Sequence, residues 1–356
     1  MKKKVLLVRL DAIGDYILFR NVLSFIRESK DYRDVHLTVL GNSAWKSLAA
    51  TYDKSYADEW IWVEKRADLF RKGYENLLPK CIWRHRVEKA QAVLRERLKA
   101  RKYDEVLSLQ TSRDPLLDEF VTGLAPSVVG VDIPGGNNAS YTKLLDAGKE
   151  PFAFLQNRHA ASSLTGETCN VPLSFPIRER ARCPANLMLF IGASHWTRRW
   201  PIDHFATLGR MYLETKCGDL YLAGGPHDGN RLKKLAKAMD DSSRVHILDG
   251  KRSLSHFVED VANAKALIGN DTMAVHAAAA LGVPCVIIAN GISGKGGFWP
   301  YPDDLTTAPV RVVCADSKTV KVPLLPSLVK IQWTEWKNLK SVSPIAVYDA
   351  LMDVLR

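Results

Sequence analysis

The sequence predicts an α/β protein of two tandem domains, each built on a parallel sheet. Three observations lead there: a length of 356 residues, short apolar runs that alternate with longer helical patterns, and a restart of that alternation near Leu187. The length is too great for one ordinary core and fits two. Strands separated by helices imply crossover connections, and these lay the strands parallel in one sheet.

In the first half, Val5-Leu6-Leu7-Val8 reads as a buried strand, followed by a helix from about Tyr16 to Glu28. Val35 to Leu40 is the next strand and Ser43 to Tyr52 the next helix. Trp60 to Val63 and Val106 to Leu109 are further strands. The stretch from Pro134 to Thr168, with Gly135-Gly136-Asn137-Asn138, has no clear period. Leu173 to Pro184 reads as the crossing between domains, which sets the expected domains at 1–178 and 179–340.

The second half gives strands at Leu187 to Ile191, Leu220 to Leu222, Val245 to Ile247, Ala266 to Ile268 and Cys285 to Ile288. Helices are expected at Asp203 to Glu214, Arg231 to Met239, Leu254 to Ala264 and Thr272 to Leu281. A terminal helix within 341–356 is expected to pack back toward the first domain. Two Rossmann-like domains facing a central cleft would put strand C-termini and their loops on both walls.

Composition narrows the function. With 50 Lys+Arg against 39 Asp+Glu, the formal charge of +11 favours an acidic partner such as a phosphorylated sugar or anionic lipid. No fingerprint of an RNA or DNA module accompanies it, so no nucleic-acid partner is expected. Between Lys4 and Arg9 the apolar run is too short for a signal peptide. No run of about 18 apolar residues offers a transmembrane helix. Cys81, Cys169, Cys183, Cys217, Cys285 and Cys314 form no CxxC pair, which argues against zinc and suits reduced thiols in the cytoplasm.

Five segments after strands can carry chemistry. In Arg9-Leu10-Asp11-Ala12-Ile13-Gly14-Asp15, Gly14 permits a tight turn, and Asp15 either caps a helix or serves as a general base. In Gly192-Ala193-Ser194-His195-Trp196-Thr197-Arg198-Arg199, small residues let amides approach a phosphate, and Arg198 and Arg199 supply cations for a diphosphate. The plain alternative is an exposed basic loop. Gly224-Gly225-Pro226-His227-Asp228 is either a turn or a close approach to phosphate or ribose.

In the fourth segment Asp271 or Thr272 caps an alanine-rich helix whose N-terminal amides attract an anion. His276 falls on the same helix face as Thr272. Gly282 ends the helix and Pro284 opens the next strand. The fifth segment, Gly296-Gly297-Phe298-Trp299-Pro300-Tyr301-Pro302, either lines a sugar or base pocket or plugs the domain edge.

Taken in order, these segments resemble the heptosyltransferases of bacterial surface-glycan assembly, glycosyltransferase family 9. The resemblance rests on Arg9 to Asp15, Gly192 through Pro201, Gly224-Gly225, and Asn270 through Pro284, and it is thin between about residues 65 and 185. It implies a GT-B fold and an inverting, metal-independent transfer without a cofactor. The donor implied is a nucleotide sugar, ADP-heptose, and the acceptor an anionic glycolipid of the lipopolysaccharide core or another surface glycan. It implies Asp15 as base, Ser194 and Arg198 on the donor diphosphate, Asp271 on the donor sugar with Thr272 near phosphate, and Arg252 near the adenine.

Four departures accompany it. Arg198 stands where lysine is usual, Met273 where glycine is common, and Asn21 where a proline is usual. His227 replaces a glutamate that some members set against the donor ribose, leaving Asp228 as a substitute. Met273 and His227 keep a catalytically degenerate nucleotide-binding module open as a rival, and the two-domain design keeps a nucleotide-sugar epimerase open. Arg84 to Lys102, with eight Lys or Arg against Glu88 and Glu96, reads as a basic helix with Val87, Leu94 and Leu98 as its apolar stripe. It would rest on the inner membrane, bind a phosphorylated acceptor, or remain a solvated charged face.

Overall fold

A computed structural model describes residues 2–64, 80–111, 115–133, 137–177, 186–215, 218–239, 243–248, 250–291, 297–302, 304–314 and 327–356. Contacts divide the chain into two compact units, Met1–Pro172 and Leu173–Arg356. The expected boundary lay a few residues later, at 178. Residues 178–184 of the expected crossing lie outside the described residues.

The first unit holds strands β1 (Lys4–Arg9), β2 (His36–Asn42), β3 (Glu59–Val63), β4 (Glu105–Ser108), β5 (Ser127–Val131) and β6 (Lys143–Leu145). They pair in the order β3-β2-β1-β4-β5-β6, all parallel. β1 is covered on both faces, which is why its sequence is an unbroken Val/Leu run rather than an alternating one. The chain reverses its winding direction between β1 and β4, where an open parallel sheet forms its ligand crevice.

Helices α1 (Ile13–Ile17) and α2 (Arg20–Glu28) replace the single helix expected from Tyr16 to Glu28. The break has a cause: Asn157 donates its side-chain amide to the Leu18 carbonyl, which leaves the helical ladder. The expected helix from Ser43 to Tyr52 is a chain of short helical turns running on to Tyr56. Its irregular path stacks Trp45 flat on Tyr16, 3.9 Å between ring centres, and brings Asp53 to Arg20. The stretch from Pro134 to Thr168 contributes β6 and a helix, Ala153–Thr165.

The basic helix runs over Lys80–Lys99. Leu94 and Leu98 do form a stripe, but they pack into the first unit's core against Phe120 and Val106. That stripe is therefore not available to a membrane, and Val87 lies outside the described side chains. Arg95 donates to the carbonyls of Glu119, Phe120 and Thr122, closing the C-terminal end of helix Pro115–Val121. Lys89, Arg97 and Lys102 remain exposed.

The second unit repeats the design. Strands β7 (Leu187–Phe190), β8 (Leu220–Ala223), β9 (Val245–Ile247), β10 (Ala266–Asn270), β11 (Cys285–Ala289) and β12 (Val310–Cys314) order as β12-β11-β10-β7-β8-β9, again all parallel. Its switch of direction falls between β7 and β10. The helices include Ile202–Thr215, Gly229–Lys237, Leu254–Ala262 and Met273–Ala280. β12 and helix Ser327–Ser341 are not among the elements expected from the sequence.

The terminal helix, Pro344–Val354, buries Val347, Leu351 and Val354 in the core of the second unit, beside Leu208, Tyr212 and Val286. This corrects the expectation that it packs toward the first domain: its buried side chains are spent on the second unit, while Ile345 stays exposed.

Candidate functional site

At the switch point of the second unit, Asn270 organises the loop that follows β7. Fully buried, it donates to the carbonyls of Ile191 and Gly192 at 3.0 and 3.2 Å and accepts from the Trp200 amide at 3.0 Å. The start and the end of the Gly192 to Pro201 loop are thereby fixed to one side chain. Arg199 closes the turn from inside, donating twice to the Ala193 carbonyl at 3.1 and 3.0 Å. Its guanidinium is part of the loop rather than a cation aimed outward.

Arg198 is placed differently. Among the described residues its side chain makes no hydrogen bond or ion pair, and it is half-buried. Its charge is nevertheless felt at Asp271 and His276. Ser194 is exposed on the same loop. Thr272 is the cap residue of helix Met273–Ala280, and its hydroxyl donates to the Asn270 carbonyl at 3.3 Å. Gly282, in the left-handed region at φ 62°, ends that helix as expected.

Asp271 is 5% exposed. Burial pushes its carboxyl above the ordinary range, while Arg198 and a hydrogen bond from Trp299 pull it back down. That bond runs from the indole Nε1 to Oδ2 at 3.1 Å; among the described residues Oδ1 accepts none. His276, buried one helical turn further on, shares a hydrogen bond of 2.5 Å between Nδ1 and the Tyr301 hydroxyl. Burial, then Arg198, lowers His276 to about 4, so the imidazole is neutral at pH 7.

The aromatic segment from Gly297 to Pro302 is thus a strap across the β10 loop and its helix, with Trp299 and Tyr301 each buried on a polar partner. The sequence left this segment's role open between a pocket wall and a plug.

The Gly224-Gly225 turn serves packing. Asp228 is buried, accepts from the Gly225 amide at 3.0 Å and pairs with Arg231 at 2.9 Å. A Cβ on Gly192 would lie 2.9 Å from the Asp228 carboxylate and 3.1 Å from the Gly225 amide, so the two loops pack at glycine contact. Asp228 holds that contact; His227 is exposed. Arg252 is engaged by Asp260 at 2.8 Å, both partly exposed.

In the first unit, Asp15 lies in the opening turn of α1, at the switch point beside β1. Its Oδ2 accepts from the Ala12 amide at 3.1 Å, the helix-capping arrangement, and among the described residues Oδ1 accepts nothing. Gly14 sits within the same turn, its carbonyl accepting from Leu18. Buried Arg9 braces the loop through the carbonyls of Leu109, at 2.6 Å, and Asp15, at 3.5 Å. Among the described residues no group of three His, Cys, Asp or Glu could hold a metal ion, and no helix is long and apolar enough to cross a membrane.

Residues 169–292 match the model of glycosyltransferase family 9 (heptosyltransferase). Over 98% of this chain and 99% of the other, the fold is similar to E. coli heptosyltransferase WaaC solved with ADP-2-deoxy-2-fluoro heptose, at 19% identity and TM-score 0.69. A family 9 glycosyltransferase from Veillonella parvula is similar over 100% of this chain and 98% of the other, at 21% identity and TM-score 0.70. E. coli ADP-heptose lps heptosyltransferase II is similar over the same shares, at 17% identity and TM-score 0.63. At these identities the likeness is one of fold, and that fold is GT-B. No curated protein sequence matches the chain. The family 9 match spans the loops and helix from Gly192 through Asp271 to Gly282 and ends before the Gly297 to Pro302 segment.

Proposed function

We propose that this chain transfers a sugar from a nucleoside-diphosphate sugar to a hydroxyl of an anionic surface glycan, with inversion and without a metal. The observation that carries the reading is Arg198: a half-buried cation without a side-chain partner among the described residues, beside a buried carboxylate and a neutral histidine. A diphosphate supplies the missing partner, and a guanidinium can bind it through two parallel hydrogen bonds. Ser194 and the amides that open helix Met273–Ala280 add donors for the same charge.

In the transfer, Asp15 takes the proton of the acceptor hydroxyl through its unpartnered oxygen. The acceptor oxygen bonds to the anomeric carbon as the bond from that carbon to the diphosphate breaks, and the electron pair leaves on phosphate. Arg198, Ser194 and the helix amides stabilise that charge as it develops. Asp271 holds the sugar. ADP-heptose is the donor to test first, because WaaC was solved with ADP and with an ADP-heptose analogue. A lipopolysaccharide core and a cytoplasmic site of action belong to the same proposal. Arg199 has no direct donor role in it, since its guanidinium is bound to the Ala193 carbonyl inside the loop.

Thermal stabilisation by ADP, GDP, UDP, CDP and NAD, wild type against Arg198→Ala, tests it. Ligand at 100 times its dissociation constant adds about 2.7 kcal/mol to the unit that binds it. Selective stabilisation by ADP, lost in the variant, supports an ADP-sugar donor. Preference for another nucleotide keeps transfer and discards ADP-heptose. No response to any nucleotide sinks the donor site.

A further inference from the structure

The aromatic strap has a consequence for recognition of the sugar itself. Asp271 is a buried carboxylate with two inequivalent oxygens: Oδ2 is held by the Trp299 indole N–H at 3.1 Å, and Oδ1 accepts no hydrogen bond among the described residues. An indole nitrogen only donates, so Trp299 decides which oxygen is spent and which is offered. A hydroxyl brought to Oδ1 gives that oxygen the partner it lacks among the described residues, in a hydrogen bond strengthened by the carboxylate's charge. The second tie, His276 to Tyr301, fixes the same segment one helical turn further along, so the indole is held at both ends of a short span.

We propose that Trp299 is a positioning residue for the donor: its indole N–H orients Asp271 so that Oδ1 is presented as a fixed acceptor to a hydroxyl of the donor sugar. This rests on the reading of the second unit as the donor site. It assigns the Gly297 to Pro302 segment to recognition of the sugar and leaves the nucleoside diphosphate to Arg198 and the helix amides. Discrimination follows from the same geometry, because a deoxy sugar at that position would leave Oδ1 unpaired.

Trp299→Phe keeps a ring in the strap and removes only the N–H. Affinities of wild type and variant would be measured for the pairs ADP and ADP-heptose, GDP and GDP-mannose, and UDP and UDP-glucose. The expected result is a loss of about tenfold for the nucleotide sugar that wild type binds, with its bare diphosphate changed less than about twofold. The acid limb of nucleotide-sugar binding should also move to higher pH, because the lost hydrogen bond had favoured the ionised carboxylate. A merely structural strap would weaken both members of the pair alike and leave the acid limb in place, and either result overturns the proposal.

Should Trp299→Phe fail to fold, the indole resonance of the wild-type protein decides the same question. The indole N–H signal shifted by Asp271→Asn must respond to the nucleotide sugar and not to the bare diphosphate; an equal response to both overturns the proposal. If no pair binds the wild-type protein, the donor site fails and this inference fails with it. If a diphosphate binds through Arg198 while Trp299→Phe leaves the preference for its sugar intact, only this inference fails.

Discussion

Asn270 and Trp200 are joined by a hydrogen bond from the Trp200 amide to the Asn270 side-chain oxygen, 3.0 Å long and wholly buried. The other end of the same side chain holds the Ile191 and Gly192 carbonyls. One residue at the end of β10 therefore sets the path of the loop that carries Arg198. Asn270→Ala strands a buried amide and two carbonyls, and a cost of about 2–3 kcal/mol is expected in urea denaturation. Asn270→Asp should do little better, since a carboxylate can accept from Trp200 but cannot donate to either carbonyl.

Acid should weaken the second unit through His276. Its folded value of about 4 lies below the ordinary 6.5, so between those limits the unfolded chain binds a proton that the folded chain does not. Stability is then present above about pH 6.5 and is lost as pH falls toward 4. His204, also lowered by burial, acts in the same sense, whereas Asp271 and Asp260, raised by burial, act in the opposite one. The signature is therefore a difference: His276→Gln should flatten the loss of stability between pH 6.5 and 4.5 relative to wild type.

What the sequence disclosed followed from periodicity and from strand-end chemistry. The nine strands read from apolar runs all exist, because a strand covered on both faces must be apolar throughout, as in β1 and β10. β12 was missed because none of its residues is fully buried and Arg311 interrupts the run. The break at Leu18 was illegible because Asn157, which causes it, lies far away in the chain. The glycine-rich loops and the alanine-rich helix of the second unit were legible in position, but not in which side chains are committed. Nothing in the order Arg198-Arg199 says that the second turns inward to Ala193. Nothing in a Gly-Gly turn says that Asp228 fills the space beside it. Those are tertiary facts.

Asp53 should be the most damaging polar position in the first unit. Its carboxylate binds Arg20 at 2.5 Å and accepts from the Tyr16 hydroxyl at 2.7 Å, with all three side chains buried. Replacing Asp53 with Ala removes the counter-charge of a buried guanidinium, a loss of about 3–5 kcal/mol. The expected readout is a lower denaturation midpoint. Binding of nucleoside diphosphate by folded protein should survive, because the triad lies in the other unit from Arg198.

Asp15 separates a structural duty from a chemical one, and the two can be tested apart. Its Oδ2 accepts from the Ala12 amide, a bond that an asparagine oxygen can also accept, whereas only a carboxylate can take a proton from an acceptor hydroxyl at neutral pH. Asp15→Asn is therefore expected to keep the wild-type midpoint and nucleotide binding while transfer falls by about 10²–10⁴. Asp15→Ala should lose transfer to the same extent and about 1 kcal/mol of stability in addition, from the missing cap. Single-turnover transfer with saturating donor, measured beside urea denaturation of both variants, resolves the two effects. Full transfer by Asp15→Asn would remove Asp15 as the base and leave it a cap alone.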